Sequence, residues 1–184
     1  MLAQVERELI VTGIGGQGVQ LAAKILGRAA AAGGMEVMLL GMFGGSVRGG
    51  RSEMTIVLSD AAIEAPPIVP ACADAIALHG EFFAPVLAKV RAGGTVLVNA
   101  PLVTCARTDV NVVEVPMTAI AEELGNVGLV SMAALGAYVA TTNVVPMDAV
   151  LDAMRAEIPA YRANRIPTNE AAIARGAEAI GARV

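Results

Sequence analysis

Two glycine-rich segments carry the residues of this chain that could do chemistry. The first is GIGGQGVQ, in which Gly13, Gly15 and Gly18 stand in the spacing G-x-G-x-x-G, with Gly16 and Gln17 between them. An apolar run precedes it and a helical pattern follows. Glycines at a strand-to-helix turn let backbone N–H groups approach an anion, and the helix dipole adds attraction. The same glycines also permit nothing more than a tight turn and close strand–helix packing. The second segment is GGSVRGGRSE, where Arg48 and Arg51 are framed by glycines, including Gly49 and Gly50, with Ser46 and Ser52 beside them. Arginines on a loop with open backbone suit bidentate recognition of phosphate or carboxylate. They equally suit pairing with acids across a subunit interface. This segment follows the second strand, so a β-α-β unit raises it at the sheet edge where the Gly13–Gly18 turn lies, and the two can share one anion.

A nicotinamide site makes a further demand, an acid at the end of the second strand to hold the ribose hydroxyls. Glu36 stands at the start of that strand, and its end reads Leu39, Leu40, Gly41, Met42. His79 is the only histidine and has no evident acid–base partner. No catalytic residue is therefore assigned, and an independent dehydrogenase is disfavoured. FAD, ATP and free coenzyme A remain compatible with the spacing.

The elements that must hold these loops are legible from apolar patterning. Short, nearly all-apolar runs predict strands over 7–13, 36–41, 54–60, 73–80, 95–100 and 110–115. Helical spacing predicts helices over 17–32, 81–91, 117–124, 129–141, 147–157 and 169–180. Gly33-Gly34 and Gly93-Gly94 are read as helix stops, Pro116 as a helix opener, and Asn126 and Asn169 as N-caps. Residues 42–53 are read as loop. Alternating strands and helices argue an α/β fold with a mostly parallel sheet covered on both faces. The short connection after the second strand makes an antiparallel strand, and hence a mixed sheet, the expectation. The 184 residues allow one domain, spanning 1–184.

Composition narrows the function classes. Apolar residues make up 55% but aromatics only 3%, so the core must be aliphatic. Charged residues are 16%, below the usual quarter, which favours a subunit with surface buried against a partner. The net charge of −4, without a basic run, argues against nucleic acid. Cys72 and Cys105 are the only cysteines, too few for the thiolates of an iron–sulfur cluster or for a zinc site, so no metal ligand is assigned. They are read as small apolar fillers, and His79 as a hydrogen-bonded structural residue. Few cysteines and no leader pattern lead us to expect a cytoplasmic protein. The uncharged run over 124–147 has an apolar centre too short for a membrane span and reads as a buried helix.

Taken together, the two loops carry a resemblance. GIGGQGVQLAAKILGRAA followed by RGGRSEMTIVLSD resembles the gamma subunit, or gamma domain, of 2-oxoacid:ferredoxin oxidoreductases of the pyruvate, 2-oxoglutarate, indolepyruvate or phenylglyoxylate type. Gln17 between Gly16 and Gly18 is the specific mark. The likeness continues through ADAIAL, GGTVLVN, ALGAYVA and NEAAIARG, nearly to the end of the chain. Where many relatives carry a tyrosine–glycine pair and an acid before R-G-G, this chain has Phe43-Gly44 and no acid.

The resemblance implies a three-layer, Rossmann-like α/β/α domain in a multi-subunit enzyme. Such enzymes oxidatively decarboxylate a 2-oxo acid on thiamine diphosphate with Mg2+, pass electrons through iron–sulfur clusters and release an acyl-CoA. It implies partners: thiamine-binding alpha and beta subunits and a ferredoxin-like iron–sulfur subunit. On this reading the chain binds no redox centre of its own, and Gly13, Gly15, Gly16, Gln17, Gly18, Arg48, Gly49, Gly50, Arg51 and Ser52 form part of the coenzyme A site or its supporting wall. Two other readings stand beside it: a self-sufficient nucleotide-binding module, and a purely structural subunit.

Overall fold

A computed structural model describes residues 6–44, 49–64 and 66–181. In chain order the elements are β1 (Glu6–Ile14), α1 (Val19–Ala32), β2 (Glu36–Phe43), β3 (Arg51–Ser59), β4 (Cys72–Ala77), α2 (Phe83–Leu87), β5 (Val90–Asn99) and β6 (Asn111–Val115). Four helices complete it: α3 (Met117–Glu123), α4 (Val130–Thr142), α5 (Met147–Glu157) and α6 (Ile166–Gly181). Tight 3-10 turns at Val127–Leu129 and Ala160–Arg165 lead into α4 and α6.

The strands form one six-stranded sheet in the order β2-β3-β1-β4-β5-β6. Pairings β1–β4, β4–β5 and β5–β6 are parallel, while β3 runs antiparallel to both neighbours, β1 and β2. The expected mixed α/β sheet is thus present, with β3 its single reversed strand. Its position changes one step of the sequence argument. β2 is an edge strand, so the strand beside β1 at the glycine turn is β3, whose first residue, Arg51, pairs with Ile14. Where a nicotinamide fold presents an acid next to its glycine turn, this chain presents a cation.

The helices distribute unevenly over the two faces. Leu9, Val11, Ile56, Leu58 and Leu97 meet α1, α3, α4, α5 and α6 in one large aliphatic core. Ile10, Ala75, Val96 and Val98 on the opposite face meet only the short α2 and coil, through Phe83, Val86 and Val103. Helix α4 is buried almost all round and lies against α6 at a distance set by glycine. A Cβ on Gly136 would come within 1.9 Å of the Ile173 carbonyl oxygen, and one on Gly176 within 2.0 Å of that of Ala133. At the end of the sheet away from the glycine turn, Asp74 is 1% exposed and accepts hydrogen bonds from the Arg7 guanidinium and from the Tyr138 hydroxyl, the latter at 2.8 Å. That buried carboxylate is fully partnered, as a polar group in a core must be.

Three local expectations are corrected. Residues Arg51, Ser52 and Glu53 belong to β3 rather than to the loop over 42–53, because pairing with β1 and β2 overrides their polarity. The helix expected over 81–91 is only five residues long, and Gly93-Gly94 lies inside β5 instead of ending it. The register of β4 against β5 shifts there, and a Cβ on Gly94 would come 2.3 Å from the Ala73 carbonyl oxygen, so the glycine permits a close backbone approach. Asn169 sits within α6, donating from Nδ2 to the Arg165 carbonyl at 2.6 Å, because the preceding 3-10 turn runs straight into the helix. Asn126, by contrast, accepts from the Gly128 N–H at 2.9 Å and caps the turn before α4 as expected.

Candidate functional site

The Gly13–Gly18 turn connects β1 to α1 at the C-terminal end of β1, and its shape depends on Gln17. The Gln17 side chain turns inward: Oε1 accepts from the Ile14 N–H at 2.9 Å, and Nε2 donates to the Leu78 carbonyl at 3.3 Å. A Cβ on Gly13 would meet that Oε1 at 2.6 Å, so the bare backbone of Gly13 makes space for it. The Leu78 carbonyl also accepts from Asn99 Nδ2 at 3.0 Å, and Asn99 Oδ1 takes the Thr118 N–H at the start of α3. One carbonyl beyond β4 thus ties together the ends of β1 and β5. Asn99 is 0% exposed; in the sequence it stands only as the last residue of the GGTVLVN stretch, with no role attached to it.

Gly16 and Gly18 have φ of +102° and +82°, left-handed values that favour glycine. Gly18 is the N-cap of α1 and supplies no side-chain oxygen, and the first turn of α1 contains no acidic residue. The first N–H groups of the helix are thereby left for an outside acceptor, at the positive end of its dipole.

The second segment closes against this turn. The Gly15 N–H donates to the Gly50 carbonyl at 2.9 Å, and the chain then enters β3 at Arg51. Between the two lies an open cleft of about 460 Å³, walled by Gly15, Gly16, Gly18, Gly50, Arg51 and Ser52. Half-exposed Phe43 stands at its rim, 54% accessible. Of the residues expected at the site, those six line the cleft. Gly13 and Gln17 lie behind it and hold its wall, and Gly49, with φ +87°, turns the chain toward it. Arg48 and Ser46 fall outside the described residues.

Arg51 is tied within its own strand, its Nη2 donating to Glu53 at 2.7 Å. Glu53 is 2% exposed, so this pairing compensates a buried carboxylate. The contact is single rather than bidentate, and Arg51 Nε is buried without a hydrogen-bond partner. Nε is enclosed, so what Arg51 can offer the cleft are the donors of its partly exposed terminal nitrogens. His79 serves the turn after β4, its Nδ1 accepting from the Glu81 N–H at 3.2 Å. Cys72 is buried in β4, and burial pushes its thiol up to about 11. Among the described residues no cluster of three His, Cys, Asp or Glu side chains could hold a metal, and no helix is long and apolar enough to cross a membrane.

The cleft thus combines backbone donors, a helix start without a side-chain cap and a cation at the C-terminal end of a parallel strand, groups whose chemistry suits an anion. The pyruvate ferredoxin/flavodoxin oxidoreductase family matches residues 8–179, and the chain belongs to that family. The 2-oxoglutarate synthase subunit KorC of Methanocaldococcus jannaschii is 31% identical over 161 residues, which cover 85% of this chain and 86% of that subunit. Among solved structures, the gamma subunit of the keto/oxoacid ferredoxin oxidoreductase of Geobacter sulfurreducens superposes with a TM-score of 0.81 at 27% identity, over 96% of this chain and 99% of that one. A chain of the 2-oxoglutarate:ferredoxin oxidoreductase of Magnetococcus marinus, solved with 2-oxoglutarate, coenzyme A and succinyl-CoA bound, shares the fold. It superposes with a TM-score of 0.87 at 19% identity, over 96% of this chain and 31% of that one.

Proposed function

We propose that this chain is the gamma component of a 2-oxoacid:acceptor oxidoreductase complex, with 2-oxoglutarate the substrate its relatives favour, and that its cleft receives the diphosphate of coenzyme A. The observation that carries the reading is the Gly15–Gly50 hydrogen bond, which makes one cleft of the two segments. Diphosphate oxygens would meet the first N–H groups of α1 and the free donors of Arg51, while Gly16 and Gly18 leave the backbone uncovered. Holding one end of coenzyme A in this way turns a bimolecular encounter into an oriented one, which raises the rate without acid–base chemistry. The thiol would then point toward a thiamine-binding partner.

Oxidative decarboxylation itself would occur on thiamine diphosphate and Mg2+ in the alpha and beta subunits, with electrons leaving through a ferredoxin-like iron–sulfur subunit. The residues of this chain do not fit an iron–sulfur cluster. Of its two thiols, Cys72 is enclosed in a strand and protonated far above neutral pH, and two cannot supply four ligands. A site in the cytoplasm, where such thiols stay reduced, accords with this arrangement.

One observation favours the purely structural reading: Gln17 and Arg51 are both engaged inside the chain. Replacing the pair Arg51 and Glu53 together by Ala and Gln in the assembled complex separates the two, since no buried charge is left behind. The coenzyme A reading expects KM for coenzyme A to rise about tenfold, the loss of one charge-assisted contact. An unchanged KM with loss of assembly supports the structural reading.

A further inference from the structure

A second cleft lies on the other side of the glycine turn. It has a volume of about 490 Å³ and shares Gly16, Gly18 and Leu21 with the first, while its far wall is the turn Ala160–Arg165 and the start of α6. Arg162 and Arg165 stand in that wall. Every other described arginine bonds a carboxylate of this chain. Among the described arginines, Arg162 and Arg165 alone have no acid. The one carboxylate lining the cleft, Glu157, is held by Arg28 at 2.9 Å. Arg162 lies over the exposed ring of Tyr161, 5.2 Å from its centroid, a contact that orients the guanidinium. Asn169 fixes the base of the turn through the Arg165 carbonyl.

Two exposed arginines three residues apart in one cleft wall, neither paired with an acid, have the charge to hold a dianion. A ligand with a diphosphate at Gly16 and Gly18 has its 5′-linked ribose in reach of this wall, because the two clefts meet at those glycines. We infer that Arg162 and Arg165 bind the phosphate on the 3′ position of that ribose and so select coenzyme A over nucleotides that lack it. This rests on the reading of the first cleft as the diphosphate site. Arginine forks are suited to such a phosphate, each offering parallel N–H donors.

The test compares coenzyme A with dephospho-coenzyme A, which lacks only the 3′-phosphate, in the assembled complex. Arg162→Ala with Arg165→Ala should raise KM for coenzyme A about tenfold and leave KM for dephospho-coenzyme A and kcat unchanged. Arg162→Lys with Arg165→Lys should lie between, since charge remains while the fork is lost. An equal rise for both substrates, no change for either, or loss of partner subunits from the purified double-alanine variant would each overturn the assignment. The double variant at Arg51 and Glu53 tells the two failures apart. If it raises KM for both substrates while the arginine pair has no effect, the diphosphate reading survives and this inference falls; if neither changes KM, both fall.

Discussion

Gly18 faces Ser131 across the start of α1, so closely that a Cβ on Gly18 would come 2.4 Å from the Ser131 Oγ. Ser131, in the first turn of α4, is 1% exposed and its hydroxyl has no hydrogen-bond partner. The glycine fingerprint is thus shaped from two sides, by its own left-handed φ of +82° and by a helix more than a hundred residues away in sequence.

Substituting Gly18→Ala should destabilise the fold by about 1–3 kcal/mol from backbone strain alone, with the Ser131 clash adding to it. Ser131→Ala removes a buried hydroxyl that bonds nothing and should be neutral or slightly stabilising. The double variant should then be more stable than Gly18→Ala alone, because only the φ strain remains. Urea unfolding of the three variants measures this coupling, and strict additivity would refute the clash.

Gln17 acts through its geometry. Gln17→Ala should cost about 1–2 kcal/mol, leaving the Ile14 N–H without its acceptor while the Leu78 carbonyl keeps only the Asn99 donor. Gln17→Glu keeps an acceptor for Ile14 but sets a carboxylate oxygen against the Leu78 carbonyl, so it should not restore stability. Hydrogen exchange at the Ile14 amide offers a local readout: slow in the parent and in Gln17→Glu, fast in Gln17→Ala.

Stability should fall on the alkaline side. Burial raises the Cys72 thiol from 9.0 to about 11, and burial together with the Asp74 charge raises the Tyr138 phenol well above 10.0. Both groups lose their protons earlier in the unfolded chain than in the folded one. The folded state is therefore favoured fully below pH 9 and loses this advantage as pH climbs through the folded values. Unfolding free energy measured at pH 7, 9 and 10.5 should decline over the upper interval. Cys72→Ala should flatten that decline, and a Cys72→Ala profile parallel to the parent would disprove the assignment.

The fold was legible where local pattern decides it. The apolar run over 7–13 lies within β1, and the helix over 147–157 lies where the sequence places it. What stayed hidden depends on contacts far apart in the chain. Arg51-Ser52-Glu53 looks like loop until β1 and β2 are known to flank it, and nothing local to β2 says that β3 will come between it and β1. The Ala- and Gly-rich patterns of α4 and α6 give no sign that Gly136 and Gly176 exist to let two backbones touch. At the site, glycine spacing made the turn visible, and the shared cleft followed from chain direction alone. Arg162 and Arg165 were silent because an arginine declares its purpose by the absence of an acid beside it, and that is known only in three dimensions.

The reversed strand β3 has a mechanical consequence. Because β2 pairs only with β3, the two form a hairpin whose attachment to the sheet runs through the single ladder between β3 and β1. The cleft sits at the end of that ladder, so its two walls belong to the hairpin on one side and to the parallel body of the protein on the other. A molecule bound there acts as a rivet across the joint. Filling the cleft should slow the opening of the hairpin, coupling ligand occupancy to the rigidity of the β2 edge of the sheet.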